Sequence, residues 1–245
     1  MRALVSLAVA AFLLTWGSPS AGARAEAKPL RVLFVGNSLT STNDLPERVA
    51  SLADAAGRAL EVRAVTFDGF SLEDHWARGD ARGELATRSW DAVILQQGPS
   101  ALPESQIHLR EWAARFAAFA RAAGARPGLL GVWPESHRRA ALGEVITSYR
   151  KAAQSARADL FPAGAAWRAA WACNRRVQLY GKDGFHPSKL GTYVAALVVY
   201  GRLFRAPVLS TSLNEAGASP RTSRALQAAA ATALGRRLGA TRRCG

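Results

Sequence analysis

Apolar and polar residues along the chain alternate between two periods. Residues 31–35 form a short apolar run closed by Gly36. Residues 60–67 alternate as a half-buried strand does and stop at Asp68-Gly69, and residues 91–95 form a third apolar run ended by Gln96-Gln97-Gly98-Pro99. Residues 128–133 and 159–163 read as two further strands. Between these runs the apolar spacing lengthens to that of a helix. Residues 45–57 place Leu45, Val49, Leu52 and Ala56 on one face, with Asp44 as the expected N-cap. Residues 104–123 carry a stripe through Ile107, Trp112, Phe116 and Phe119 and stop at Gly124. Residues 140–156, residues 187–204 with Pro187 in the first turn, and an alanine-rich stretch over 223–238 complete the expected helices.

Strands separated by helices of this length imply βαβ units, a parallel sheet and a three-layer α/β/α sandwich. Such sheets bind ligands beyond the carboxyl ends of their strands. Ser38, Gly69 and Gln96 each follow a strand, so the pattern brings them to one sheet edge although they lie far apart in the chain. No internal repeat or linker divides the sequence. Residues 26–245 read as a single domain with its core over about 30–205, a last helix over about 223–238, and its loosest stretch at 208–220.

The first 25 residues read differently. Arg2 precedes an apolar run from Ala3 to Trp16, and two Ala-x-Ala sites follow, Ala21-Gly22-Ala23 and Ala23-Arg24-Ala25. This is the pattern of a secretory leader, and the apolar run falls short of the roughly 20 residues that span a bilayer. The expectation is a secreted or periplasmic protein with no integral membrane segment once the leader is removed. In that compartment Cys173 and Cys244 either join in one disulfide or remain a packed and an exposed thiol. Two cysteines with no nearby histidine do not make a zinc site.

The formal net charge is +14. The arginines are scattered, with small pairs such as Arg138-Arg139 and Arg242-Arg243, and no helix interleaves a basic stripe with aromatics. A nucleic-acid partner is therefore not expected. Electrostatic contact with anionic envelope polymers is the one functional reading that the charge leaves open, beside a plain solvated surface.

The chemistry concentrates in two motifs, Gly36-Asn37-Ser38-Leu39-Thr40 and Asp183-Gly184-Phe185-His186-Pro187-Ser188. A serine hydroxyl needs a base to take its proton and a group that orients the base. His186 is the best base among the four histidines, and Asp183 stands three residues before it. A developing oxyanion needs preorganised donors. The Ser38 N–H, the Gly69 N–H and an amide of Gln96 or Gln97 are the candidates. Neither a phosphate-binding glycine loop of the Walker type nor a His-Glu-x-x-His zinc pattern is present, and nothing in the sequence calls for a metal or organic cofactor.

These residues resemble the SGNH hydrolases, also called the GDSL esterase/lipase family. Gly36-Asn37-Ser38-Leu39 matches its first block, with Asn37 where Asp is usual. Gly69 matches the second-block glycine, and Asp183-Gly184-Phe185-His186-Pro187 matches the last block. The segments 71–76, 90–97 and 179–193 resemble an exported bacterial branch of that superfamily. The resemblance implies a flavodoxin-like α/β/α fold with Ser38 as nucleophile, His186 as base and Asp183 as orienter. The third block departs from the family, since Gln96-Gln97-Gly98-Pro99-Ser100 lacks the asparagine that normally donates to the oxyanion. Ser100 falls at the asparagine position if Gly98 is aligned.

The reading that results is an exported serine esterase acting on a small-molecule or polysaccharide ester, with O-acetyl groups on carbohydrate as the first substrate class. A lysophospholipid or short-chain acyl ester fits the same residues. The alternative is a catalytically weak carbohydrate-binding relative; a structural envelope protein held by charge is the third. Asn37, Trp133 and His137 are expected near substrate, although a tryptophan at a strand end is more often core. His75 reads as a packed or solvated histidine and His108 as a surface residue, and Trp112, Trp167 and Trp171 fit helical stripes and read as packing.

Overall fold

The computed structural model describes residues 28–208 and 217–235. The leader, Cys244, the far end of the last expected helix and most of the loose stretch 208–220 lie outside the described residues.

Five strands form one parallel sheet. They are β1 (Leu30–Gly36), β2 (Leu60–Thr66), β3 (Ala92–Leu95), β4 (Arg126–Leu130) and β5 (Asp159–Phe161), in the order β2-β1-β3-β4-β5. The burial of each strand follows its place in that order. Val32 to Val35 of β1 and every residue of β3 are buried, as expected of strands covered by helices on both faces. The outer strand β2 has no fully buried residue. The register levels the carboxyl ends: Gly36 pairs with Thr66, Val35 with Leu95, and Leu95 with Leu129. The order reverses between β1 and β3, and that reversal opens a crevice at this end of the sheet.

The helices are the single turn α1 (Ser38–Ser41), α2 (Leu45–Ala55), α3 (Leu72–Arg78), α4 (Asp80–Thr87), α5 (Pro103–Ala122), α6 (Leu142–Ser155), α7 (Ala163–Cys173), α8 (Lys189–Leu203) and α9 (Pro220–Ala233), with a 3-10 turn at Ser136–Ala141. In one layer α8 packs against α2, α7 and α9; in the other α5 packs against α3 and α6. Helix α8 is buried on nearly every side, which matches its almost unbroken apolar sequence. The three-layer sandwich expected from the alternation is the fold observed.

Several local expectations are corrected. The buried stripe of α5 runs through Leu109, Ala113, Phe116, Ala117 and Ala120, and Ile107 is 56% exposed. Ile107 lies outside the 3.6-residue repeat of that stripe, while Trp112 and Phe119 cover its flank against Trp76. Asp44 makes no side-chain cap on α2 and stands in the left-handed region at φ 55°. Pro187 precedes α8, because the Ser188 hydroxyl caps the helix by accepting from the Gly191 N–H. Helices α3 and α4 are not expected from the pattern, and α7 only through the helical spacing of Trp167 and Trp171.

Cys173 is disulfide-bonded; the only other cysteine of the sequence is Cys244. No helix among the described residues is long and apolar enough to cross a membrane.

Close backbone approach fixes where α7 enters. A Cβ on Gly164 would stand 2.1 Å from the Val132 carbonyl oxygen, whereas a Cβ on Gly143 in α6 meets nothing within 4 Å. Gly164→Ala is therefore expected to cost about 1–3 kcal/mol in denaturant unfolding. Gly143→Ala is expected to be neutral or to stabilise by up to about 1 kcal/mol.

Candidate active site

The serine is presented by a tightly built turn. Strand β1 ends at Gly36, and Asn37, in extended conformation, caps α1 by accepting from the Leu39 N–H at 3.1 Å. Gln96, at the end of β3, reaches under this turn. Its Oε1 accepts from the Asn37 N–H at 2.9 Å and from the Thr40 hydroxyl at 2.7 Å, and its Nε2 donates to Asn37 Oδ1 at 3.0 Å. Gly36 is required by this approach, because a Cβ there would stand 2.5 Å from Gln96 Oε1. Ser38 is left half-buried at the carboxyl edge of the sheet.

The histidine arrives on a loop folded on itself. The Gly181 N–H donates to the His186 carbonyl at 2.7 Å, and the Ser188 N–H to that of Leu179 at 2.8 Å. Asp183 Oδ1 accepts from the N–H groups of Phe185 and His186, at 3.0 and 3.1 Å. Asp183 Oδ2 lies 2.5 Å from His186 Nδ1, and His186 Nε2 lies 2.9 Å from Ser38 Oγ. The Phe185 N–H, followed by the His186 side chain, holds the Asp183 carboxyl below the ordinary carboxylate range. The side chains of His186 and Asp183 are 34% and 51% exposed, so the row of three groups opens to solvent.

Other parts of the chain brace that loop. The Trp133 indole N–H donates to the Phe185 carbonyl at 3.2 Å, and the Ser136 N–H to that of Gly184 at 2.7 Å. Asn43 Nδ2 donates to the Pro187 carbonyl and to Thr192 Oγ1, each at 2.9 Å. Asn43 thereby ties the segment behind Ser38 to the segment behind His186. The sequence reading missed it, as it missed Thr40. The signal available was Asn43-Asp44, two residues of the types that best tolerate left-handed backbone, both at φ 55°.

Gly69 stands at φ 73°, and the next carbonyl, Phe70 O, accepts from Asn37 Nδ2 at 2.9 Å. Neither the Ser38 N–H nor the Gly69 N–H donates to an acceptor among the described residues. Most of the remaining expected site residues are engaged within the protein. Gln96 is 1% exposed and committed to Asn37 and Thr40, so its amide is not turned toward the cleft. Gln97 and Ser100 are buried and bonded to each other at 3.2 Å, with Gln97 Oε1 accepting from the Leu72 N–H. Asn37 is buried in the turn. Trp133 is buried and stacked on Trp167 at 3.6 Å, a packing role in place of the expected substrate contact. His137 is exposed beside Ser136. His108 Nε2 lies 2.8 Å from Glu73 Oε2, with His108 Nδ1 3.4 Å from the Gln97 amide nitrogen. Among the described residues, no group of three His, Cys, Asp or Glu side chains converges as metal ligands would.

No protein-family profile matches the chain, and no curated protein matches it. Solved structures do. A protein from Slackia heliotrinireducens assigned to the SGNH hydrolases is 29% identical, with TM-score 0.62, over 72% of this chain and 100% of that one. A DUF4886 family protein from Bacteroides uniformis superposes with TM-score 0.73 at 20% identity, over 84% of this chain and 95% of that one. The lipase/acylhydrolase from Enterococcus faecalis gives TM-score 0.57 at 16% identity, over 69% and 93%. The fold is that of α/β/α hydrolases with a flavodoxin-type strand order. The fold, together with the 29% identity to the Slackia protein, supports assigning the chain to the SGNH hydrolase superfamily.

His75 lies just beneath this turn. It is buried, its Nε2 donates to the Gly36 carbonyl at 2.8 Å, and its ring packs against Phe67 and Phe70. Burial disfavours the imidazolium and lowers its pKa from the ordinary 6.5. The unfolded chain therefore binds a proton that the native chain refuses. The stabilisation is full above pH 6.5 and is lost as pH falls toward the lower native value. His75→Gln is expected to flatten the fall of the thermal midpoint below that pH; an unchanged slope would show that His75 is not the group responsible.

Proposed function

We propose that this protein is an exported serine esterase in which Ser38 attacks a carboxylic ester. The observation that carries this reading is the continuous row from Asp183 through His186 to Ser38, at 2.5 and 2.9 Å. His186 Nε2 takes the serine proton as Ser38 Oγ bonds to the ester carbonyl carbon. The charge on the carbonyl oxygen falls to the N–H groups of Ser38 and Gly69, which have no competing acceptor among the described residues. His186 then gives the proton to the departing alcohol. In the second half it takes a proton from water, whose oxygen attacks the acyl-serine, and returns a proton to Ser38 as the acid leaves. Asp183 keeps the imidazole in the tautomer that presents its Nε2 lone pair to the serine, and stabilises the imidazolium.

Ester groups displayed on a polymer suit a site this open, and O-acetyl groups on an envelope carbohydrate are the substrate class we favour. The N-terminal leader supports action outside the cytoplasm. With Gln96, Gln97 and Ser100 engaged elsewhere, the oxyanion site rests on two backbone donors; a missing donor ordinarily costs about 100- to 1000-fold in rate. That shortfall is the observation favouring the second reading, a weakly catalytic binder of carbohydrate.

Purified protein without its leader is expected to hydrolyse p-nitrophenyl acetate and to be labelled by a fluorophosphonate at Ser38. Ser38→Ala is expected to fall to the background rate and to lose the label. Equal, background rates for both proteins would favour the binder, and label on any other residue would overturn the nucleophile.

A further inference from the structure

We infer that Gln96 is a positioning residue that sets the spacing between the two halves of the oxyanion site. The inference rests on the esterase reading and goes beyond it. Gln96 is almost wholly buried, and all of its described side-chain hydrogen bonds are to the turn that bears Ser38. It forms a closed amide pair with Asn37: the Asn37 backbone N–H donates to Gln96 Oε1, and Gln96 Nε2 donates back to Asn37 Oδ1. The same Oδ1 accepts from the Leu39 N–H, so Ser38 sits between two residues pinned to one carboxamide.

The other end of Asn37 carries the link to the second donor. Asn37 Nδ2 donates to the Phe70 carbonyl, one residue after Gly69. Gln96 fixes which way the Asn37 carboxamide faces, because its own N–H can meet only an acceptor. With Oδ1 held toward Gln96 and Leu39, Nδ2 is held toward Phe70. The Ser38 N–H and the Gly69 N–H are thus referenced to one buried pair of side chains that joins the ends of β1 and β3 and the turn after β2. In this chain the third segment would serve the oxyanion by holding its donors in place, not by donating to it.

Gln96→Glu separates this role from bulk packing. The side chain keeps its size, and one carboxylate oxygen still accepts from the Asn37 N–H and Thr40. The other oxygen replaces a donor opposite Asn37 Oδ1, leaving two acceptors face to face. The Asn37 carboxamide must turn away, which frees both the Leu39 N–H and the Phe70 carbonyl. Gln96→Met keeps the bulk and removes the donor and acceptor together.

The test compares wild type, Gln96→Glu and Gln96→Met on p-nitrophenyl acetate, alongside hydrogen exchange of the segments 36–43 and 67–72. The expected result is a kcat lowered by about 10- to 100-fold with KM within about twofold, less than the outright loss of a donor costs, because the donors are displaced and not removed. Exchange is expected to quicken in both segments together, while Ser38 stays labelled by fluorophosphonate. A kcat within twofold of wild type in the folded variants would overturn the inference. So would faster exchange confined to the Ser38 segment, or losses that vanish once rates are corrected for folded protein. If wild type were no faster than Ser38→Ala, the esterase reading would fail instead, and the paired exchange response would still decide whether Gln96 links the two turns.

Discussion

One hydrogen bond, from Ser38 Oγ to His186 Nε2, joins groups 148 residues apart in the chain, and the site depends on it. A contact of that reach cannot be held by its own strength, since a single hydrogen bond contributes only about 0.5–1.5 kcal/mol net. It persists because both partners sit on backbone that has little freedom left. On the serine side, a buried amide pair and a capped turn fix the chain as it leaves β1. On the histidine side, the loop closes on itself through Gly181 and Ser188 and is pinned from outside by Trp133, Ser136 and Asn43.

The electrostatic arrangement divides in the same way. Asp183 is half exposed, and its carboxylate is kept charged first by the Phe185 N–H and then by the His186 side chain. Water screens such a group, and its value is directional: it holds the imidazole at one angle. The polar groups that build the serine turn are instead buried and matched almost one to one. Orientation is thus set in the interior, while Ser38, His186 and Asp183 stand nearer the surface.

Much of this was legible in the sequence, and the exceptions are physical in origin. The strands declared themselves because parallel sheets bury both faces and need apolar runs. Ser38, Asp183 and His186 declared themselves because their motifs lie at strand and helix boundaries. Gln96 ends a buried strand and is expected from the sequence as an oxyanion donor, but which side of the backbone a terminal side chain takes depends on the space left by Gly36 and on Thr40 four residues further on. Trp133 is hard for a related reason: an indole at a strand end can face cleft or core, and although Trp167 and Trp171 have helical spacing, nothing in that spacing says that Trp167 stacks on Trp133. Asn43 was invisible because its work depends on a left-handed turn and on partners over 140 residues away.

The rim of the sheet carries its own consequence. Among the described residues strand β2 is the outer strand of the sheet, the kind of surface on which a foreign chain can add itself by backbone pairing. Two of its seven residues are charged, and both are engaged laterally, Glu61 by Arg31 and Arg63 by Glu84. The opposite rim, β5, is only three residues long. An incoming strand would have to strip ion pairs on one side and would find almost no template on the other, so crowded copies of this protein have little opportunity to knit into a continuous intermolecular ribbon.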